Sequence, residues 1–224
     1  MAAPRILMVV TSADRMTSGE QTGLWLEEFA VPYLEFRNAG AEVTVASPAG
    51  GPAPIDPRSK PDDEQQEAWR EASEALARTW PLRDINADEF DAVFLPGGHG
   101  TMFDLPENPE LATVLESLAR QGKVMAAVCH GPAAFVGPKG PDGRSLVDGK
   151  RIAVFTDDEE RAVGLDGAVP FMLESRLREL GANVDKAANF QEHAVRDGNL
   201  VTGQNPPSSA LTARLTLEAL GVSV

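Results

Sequence analysis

A single cysteine, Cys129, occurs in the 224 residues, and His130 follows it directly. A thiolate is a strong nucleophile, and an imidazole within reach can take its proton and later return it. The surrounding stretch, K-V-M-A-A-V-C-H-G-P-A-A-F from Lys123 to Phe135, explains how the pair would be presented. Val124 to Val128 carry no charge, as in a strand buried on both faces, and Gly131–Pro132 suits a sharp turn into a helix. Cys129 is therefore expected at a strand-to-helix corner, where the helix dipole and free N–H groups favour a thiolate. The bland alternative is an inert core cysteine, a common fate of free thiols.

Other groups with chemical potential also follow expected strands. P-G-G-H-G, Pro96 to Gly100, offers backbone amides at Gly97 and Gly98 that could hold an oxyanion, with His99 as a pocket wall or ligand. An acceptor that orients His130 is expected from F-T-D-D-E-E: Asp157, Asp158, Glu159 or Glu160. The competing reading of four consecutive acids is a solvated loop. Only His99, His130 and His193 are histidines, with no i,i+4 pair and no second cysteine, so no metal site is expected. No G-x-G-x-x-G, Walker loop or G-x-S-x-G is present, which disfavours nucleotide binding and serine hydrolysis.

These groups need a scaffold. Apolar strand patterns fall at Ile6–Val10, Glu42–Ala46, Asp91–Leu95, Val124–Val128, Arg151–Phe155, Ala182–Ala187 and Leu200–Thr202. Helical patterns fall at Gly23–Asn38 (kinked or divided at Pro32), Glu64–Thr79, Asn108–Gln121, Ala168–Leu180 and Pro206–Leu220. Alternation of this kind predicts a three-layer, flavodoxin-like α/β sandwich: a mostly parallel sheet with helices on both faces. One domain is expected, with an inserted surface segment at about residues 50–82, too polar for its own core. Ligands in such folds sit at the carboxyl ends of the strands, where all the groups above converge. The formal charge of −14 argues against nucleic acid or an anionic membrane as partner. The N-terminal apolar run is too short for a span and lacks a cleavage pattern, so a cytoplasmic protein is expected.

A-V-C-H-G-P-A at Ala127–Ala133, P-G-G-H-G-T at Pro96–Thr101 and L-V-T-G-Q-N-P-P-S-S at Leu200–Ser209 resemble the ThiJ/PfpI superfamily, which has a class I glutamine amidotransferase-like fold. The resemblance runs from Ile6 to about Leu220. T-G-L-W-L-E-E-F-A-V-P-Y at Thr22–Tyr33 and H-G-T-M-F-D at His99–Asp104 look closest to its heat-shock-inducible branch of glutathione-independent glyoxalases (glyoxalase III). That resemblance implies Glu28 as a carboxyl under the sulfur and Glu160 as the acid behind His130, with Glu159 a rival. It implies Cys129 adding to methylglyoxal, the Gly98 and His130 amides holding the oxyanion, and D-lactate released without a cofactor. A zinc site of a larger relative matches here only at His99, which again implies no metal. A homodimer is usual for the family. A protein deglycase, a PfpI-type cysteine peptidase and a stress chaperone or redox sensor are the other roles the superfamily offers.

Overall fold

Residues 2–222 are described by the computed structural model. In chain order the elements are β1 (Arg5–Val9), α1 (Leu26–Asn38), β2 (Glu42–Ser47), α2 (Asp63–Ala68), α3 (Arg70–Ala75), β3 (Trp80–Pro81), β4 (Ala92–Leu95), α4 (Thr101–Asp104) and α5 (Pro109–Arg120). There follow β5 (Val124–Val128), β6 (Arg151–Ile152), α6 (Asp157–Val163), α7 (Leu173–Glu179), β7 (Asn183–Val184), β8 (Ala194–Asp197), β9 (Leu200–Gly203) and α8 (Ser209–Ala219).

The unbroken apolar runs take the middle of a seven-stranded sheet of order β3-β2-β1-β4-β5-β9-β8. Every pairing in it is parallel except the β8–β9 hairpin. Period-two alternation divides these strands between two cores. Leu7, Val9, Val93, Leu95, Met125 and Ala127 pack against α5 and α7 on one face. Ile6, Met8, Ala92, Phe94, Ala126 and Val128 pack against α1 and α8 on the other. Burial on both faces explains why β4 and β5 carry no polar side chain. The three-layer α/β architecture expected from the alternation is thus present.

Several local expectations are revised. Pro32 lies inside one continuous α1 rather than starting a second segment. The helix expected over Glu64–Thr79 is two short helices, α2 and α3, meeting at Trp69. Arg151–Phe155 does not join the main sheet: only Arg151 and Ile152 form strand pairs, with β7. The reason lies in its donors. The Ala153 amide is taken by the Thr202 hydroxyl at 2.9 Å and the Phe155 amide by the Cys129 carbonyl at 3.0 Å, while β9 occupies the place beside β5. The hairpin partner β8 has no counterpart in the sequence reading, because Ala194–Asp197 holds a single buried residue, Val195.

Candidate active site

Cys129 directly follows β5 with φ at +59°, a left-handed conformation that is strained for any residue with a Cβ. The strain is held from both sides: the Cys129 amide donates to the Gly203 carbonyl at 3.0 Å, and its carbonyl receives the Phe155 amide. Gly131 must be glycine, since a Cβ there would overlap the Leu95 carbonyl oxygen. The residues after this corner form a 3₁₀ turn, Gly131–Phe135, rather than the expected α-helix. Few peptide dipoles are aligned there, so the anticipated dipole support for a thiolate is small. Instead, burial pushes the Cys129 thiol well above its ordinary value of 9.0, and negative charge on Glu28 pushes it further. This corrects the expectation of a thiolate favoured by its corner alone.

His130 presents Nδ1 to Cys129 Sγ at 3.3 Å and Nε2 to Glu160 Oε2 at 2.6 Å. A carboxylate can only accept, so Nε2 carries the proton and Nδ1 offers its lone pair to the thiol. Glu160 also receives His99 Nε2 on Oε1 at 2.6 Å. Burial works against its charge, yet the two imidazoles together hold its carboxylate well below the usual range. His99 is pushed down to about 4 by burial and by the neighbouring His130, so at neutral pH it is an uncharged donor. The two imidazole rings lie 4.2 Å apart, and Phe155 packs on His130 at 4.5 Å between ring centres.

The choice among the four acids follows from one helix turn. Thr156-Asp157-Asp158-Glu159 is a capping box: Glu159 receives the Thr156 amide at 2.9 Å and the Thr156 hydroxyl the Glu159 amide at 3.0 Å. Glu159 Oε1 also accepts from the Phe190 amide at 2.8 Å, Asn205 Nδ2 at 2.9 Å and Gln204 Nε2 at 3.2 Å. That carboxylate is spent on joining α6 to the end of β9. Asp157 bonds to Ser175, and Asp158 meets Arg161 and Lys186 on the surface. Only Glu160 faces His130. The T-x-x-E spacing was the sequence signal that these acids begin a helix, not a solvated loop.

Glu28, in the first turn of α1, is fully buried. Its Oε2 accepts the Gly97 amide at 2.7 Å, and its Oε1 has no well-aligned partner, while the carboxyl lies within hydrogen-bonding reach of Cys129. Burial pushes it up to about 8, so at pH 7 it is mostly protonated. A neutral carboxyl cancels the like-charge repulsion described for Cys129 and supplies a donor that stabilises the sulfur as negative charge develops. Gly97 makes room for this: a Cβ on it would lie 2.5 Å from Glu28 Oε2 and 2.7 Å from the His130 amide. Gly98 has φ at +97°. Among the described residues no hydrogen bond occupies the Gly98 or His130 amide, leaving both free to donate to an oxyanion. Thr101 Oγ1 ties the two turns, donating to the Gly98 carbonyl at 2.8 Å and reaching the His130 carbonyl at 3.2 Å.

The ligating atoms of His99, His130 and Glu160 lie within 4.8 Å of one another. Two histidines and a carboxylate suit a transition-metal ion, although the imidazoles and carboxylate here bond to each other. No regular spacing in the sequence marks this group, because its ligands come from three separate strand ends. His193 stays apart, 3.3 Å from Asp185.

A family model described as DJ-1/PfpI matches residues 21–219. The chain belongs to the DJ-1/PfpI family. Among relatives, a glutathione-independent glyoxalase of Schizosaccharomyces pombe is 34% identical over 232 residues, covering 96% of this chain and 95% of its own. The crystal structure of glyoxalase III from Candida albicans superposes with a TM-score of 0.88 at 30% identity, over 96% of this chain and 97% of the other. A 24 kDa rapid encystment protein of Francisella tularensis is also similar, with a TM-score of 0.90, 34% identity, and coverage of 97% and 99%. The Cys129 corner of this DJ-1/PfpI chain is thus embedded in a fold shared with named glyoxalases along nearly its whole length.

Proposed function

We propose that this protein is a glutathione-independent glyoxalase that converts methylglyoxal to D-lactate, with Cys129 as nucleophile. The observation that carries the reading is the line Glu28–Cys129–His130–Glu160, with a protonated carboxyl on one side of the sulfur and a base on the other. As Sγ attacks the aldehyde carbon, His130 Nδ1 takes the thiol proton, and Glu160 stabilises the resulting imidazolium. The Gly98 and His130 amides receive the oxyanion, which is protonated to a hemithioacetal. Moving the C1 proton to C2 through an enediolate, with His130 or Glu28 as carrier, turns the hemithioacetal into a 2-hydroxy thioester. Water then cleaves the C–S bond, and one methylglyoxal plus one water gives one lactate. A protein thiol thereby replaces the thiol that glutathione would supply.

No helix among the described residues is long and apolar enough to cross a membrane. The proposal includes a reducing, cytoplasmic location, since the reaction needs Cys129 to remain a free thiol, and the homodimer and stress role that the family resemblance implies. The test is lactate formation from methylglyoxal without glutathione, comparing wild type with Cys129→Ala and Glu28→Ala. Both variants are expected to lose at least 100-fold in rate on the order expected for a nucleophile and its supporting donor. Full turnover by folded Cys129→Ala would sink the reading.

A further inference from the structure

The motif Leu200–Ser209 holds a further part of this site in place. Residues 187–193, between β7 and β8, form neither helix nor strand, yet buried side chains of that motif pin them. Gln204 accepts the Ala187 amide at 2.9 Å and donates to the Ala187 carbonyl at 3.3 Å. Asn205 Nδ2 donates to the Gln191 carbonyl at 2.8 Å, and the His193 amide donates to Ser208 Oγ at 2.9 Å. Between these ties the Phe190 amide donates to Glu159, the residue before Glu160. What the pinned segment carries is a ring. The Gln191 amide closes a turn onto the Ala188 carbonyl at 3.2 Å, with Phe190 as its third residue at φ +59°. Glycine or asparagine takes that place with little strain, and phenylalanine does not. Its ring is 41% exposed and belongs to neither core, so packing does not offset the strain. The ring does meet Phe155, at 6.3 Å between centres, and Phe155 packs on His130 at 4.5 Å and faces His99 at 6.2 Å. His99, His130 and Phe155 are all buried, so Phe190 is where this line of rings reaches solvent.

We propose that Phe190 is a specificity-determining residue, the apolar face at the entrance to Cys129 on which the hydrocarbon substituent of a 2-oxoaldehyde packs. The substrate class then extends to aryl and branched-alkyl 2-oxoaldehydes, held more tightly than methylglyoxal. A substituent laid on an exposed ring removes apolar area from water on both partners, and a loop already pinned needs no ordering first. The substrate assignment rests on the glyoxalase reading, but the preference of Cys129 for aryl-bearing reagents does not.

Because Cys129 is the only cysteine, its alkylation can be followed by mass spectrometry on the intact protein. Iodoacetamide and its N-phenyl counterpart, iodoacetanilide, lose iodide to the same sulfur and differ by one ring. Phe190→Gly removes the side chain, relaxes the backbone at φ +59° and keeps the amide that bonds to Glu159, so the variant is expected to fold. The ratio of the iodoacetanilide rate to the iodoacetamide rate should fall on the order of tenfold in Phe190→Gly, the worth of one aromatic contact, and should return in Phe190→Tyr. The ratio of kcat/KM for phenylglyoxal to that for methylglyoxal should fall with it, mainly through KM. An alkylation ratio unchanged in folded Phe190→Gly overturns the proposal, and lactate formed from methylglyoxal by that same protein leaves the glyoxalase reading intact. The reverse outcome, a Phe190-dependent alkylation ratio in a protein that makes no lactate, keeps the aryl site and removes that reading.

Discussion

Replacing Glu28 by Gln should change how stability responds to pH in a way that the structure makes quantitative. Burial raises this carboxyl from 4.5 to about 8 in the folded protein. Between those values the native state keeps a proton that the unfolded chain has released, so wild-type stability falls as pH rises, by about 1.4 kcal/mol per pH unit. The stabilisation is fully present below pH 4.5 and is lost through about pH 8, on the order of 5 kcal/mol in all. Gln is close in shape, keeps an acceptor for the Gly97 amide and does not titrate. The difference in urea-unfolding free energy between wild type and Glu28→Gln, taken from pH 4 to pH 9, cancels the groups common to both. It should slope in favour of the variant up to about pH 8 and then flatten. A difference that stays level across this range would refute a protonated Glu28 beneath the sulfur, and the donor role argued from it.

Four further outcomes follow from particular contacts. Glu160→Gln should keep its fold yet lose at least about 100-fold in turnover, because an amide cannot stabilise the His130 imidazolium; steady-state kinetics with a thermal melt separate the two effects. Glu159→Ala should do the opposite kind of damage, costing about 3 kcal/mol by removing the buried acceptor shared by the Thr156 and Phe190 amides, Gln204 Nε2 and Asn205 Nδ2, measured by chemical denaturation. Cys129→Gly should be inactive but about 1 kcal/mol more stable than Cys129→Ala, since only glycine relaxes at φ +59°. Gly97→Ala should slow alkylation and turnover together, because its Cβ would press on Glu28 Oε2 and the His130 amide.

Much of the scaffold was legible in the sequence for a simple reason. A strand covered on both faces must be apolar throughout, so β1, β4 and β5 announce themselves, and glycine turns after such strands mark the ends where ligands bind. The strands that the sequence obscured are those that do not follow this rule. β8 sits at the sheet edge with one buried side chain, and Arg151–Phe155 looks like a sheet strand because burial, not pairing, made it apolar.

The chemistry divides in the same way. Sequence alone could place Cys129 beside His130 at a corner after a buried strand, because both properties are local: residue order and the unbroken run before it. It could not say which state the thiol occupies, since that depends on burial and on Glu28, which is 101 positions upstream of Cys129 by residue number. Only the tertiary structure decided that Glu159 is spent on Asn205 and Gln204 while Glu160 turns to the histidines. It also decided that His99 shares Glu160 with His130. Each of these depends on desolvation and on distances between groups far apart in the chain, quantities that exist only once the sheet has brought its strand ends together.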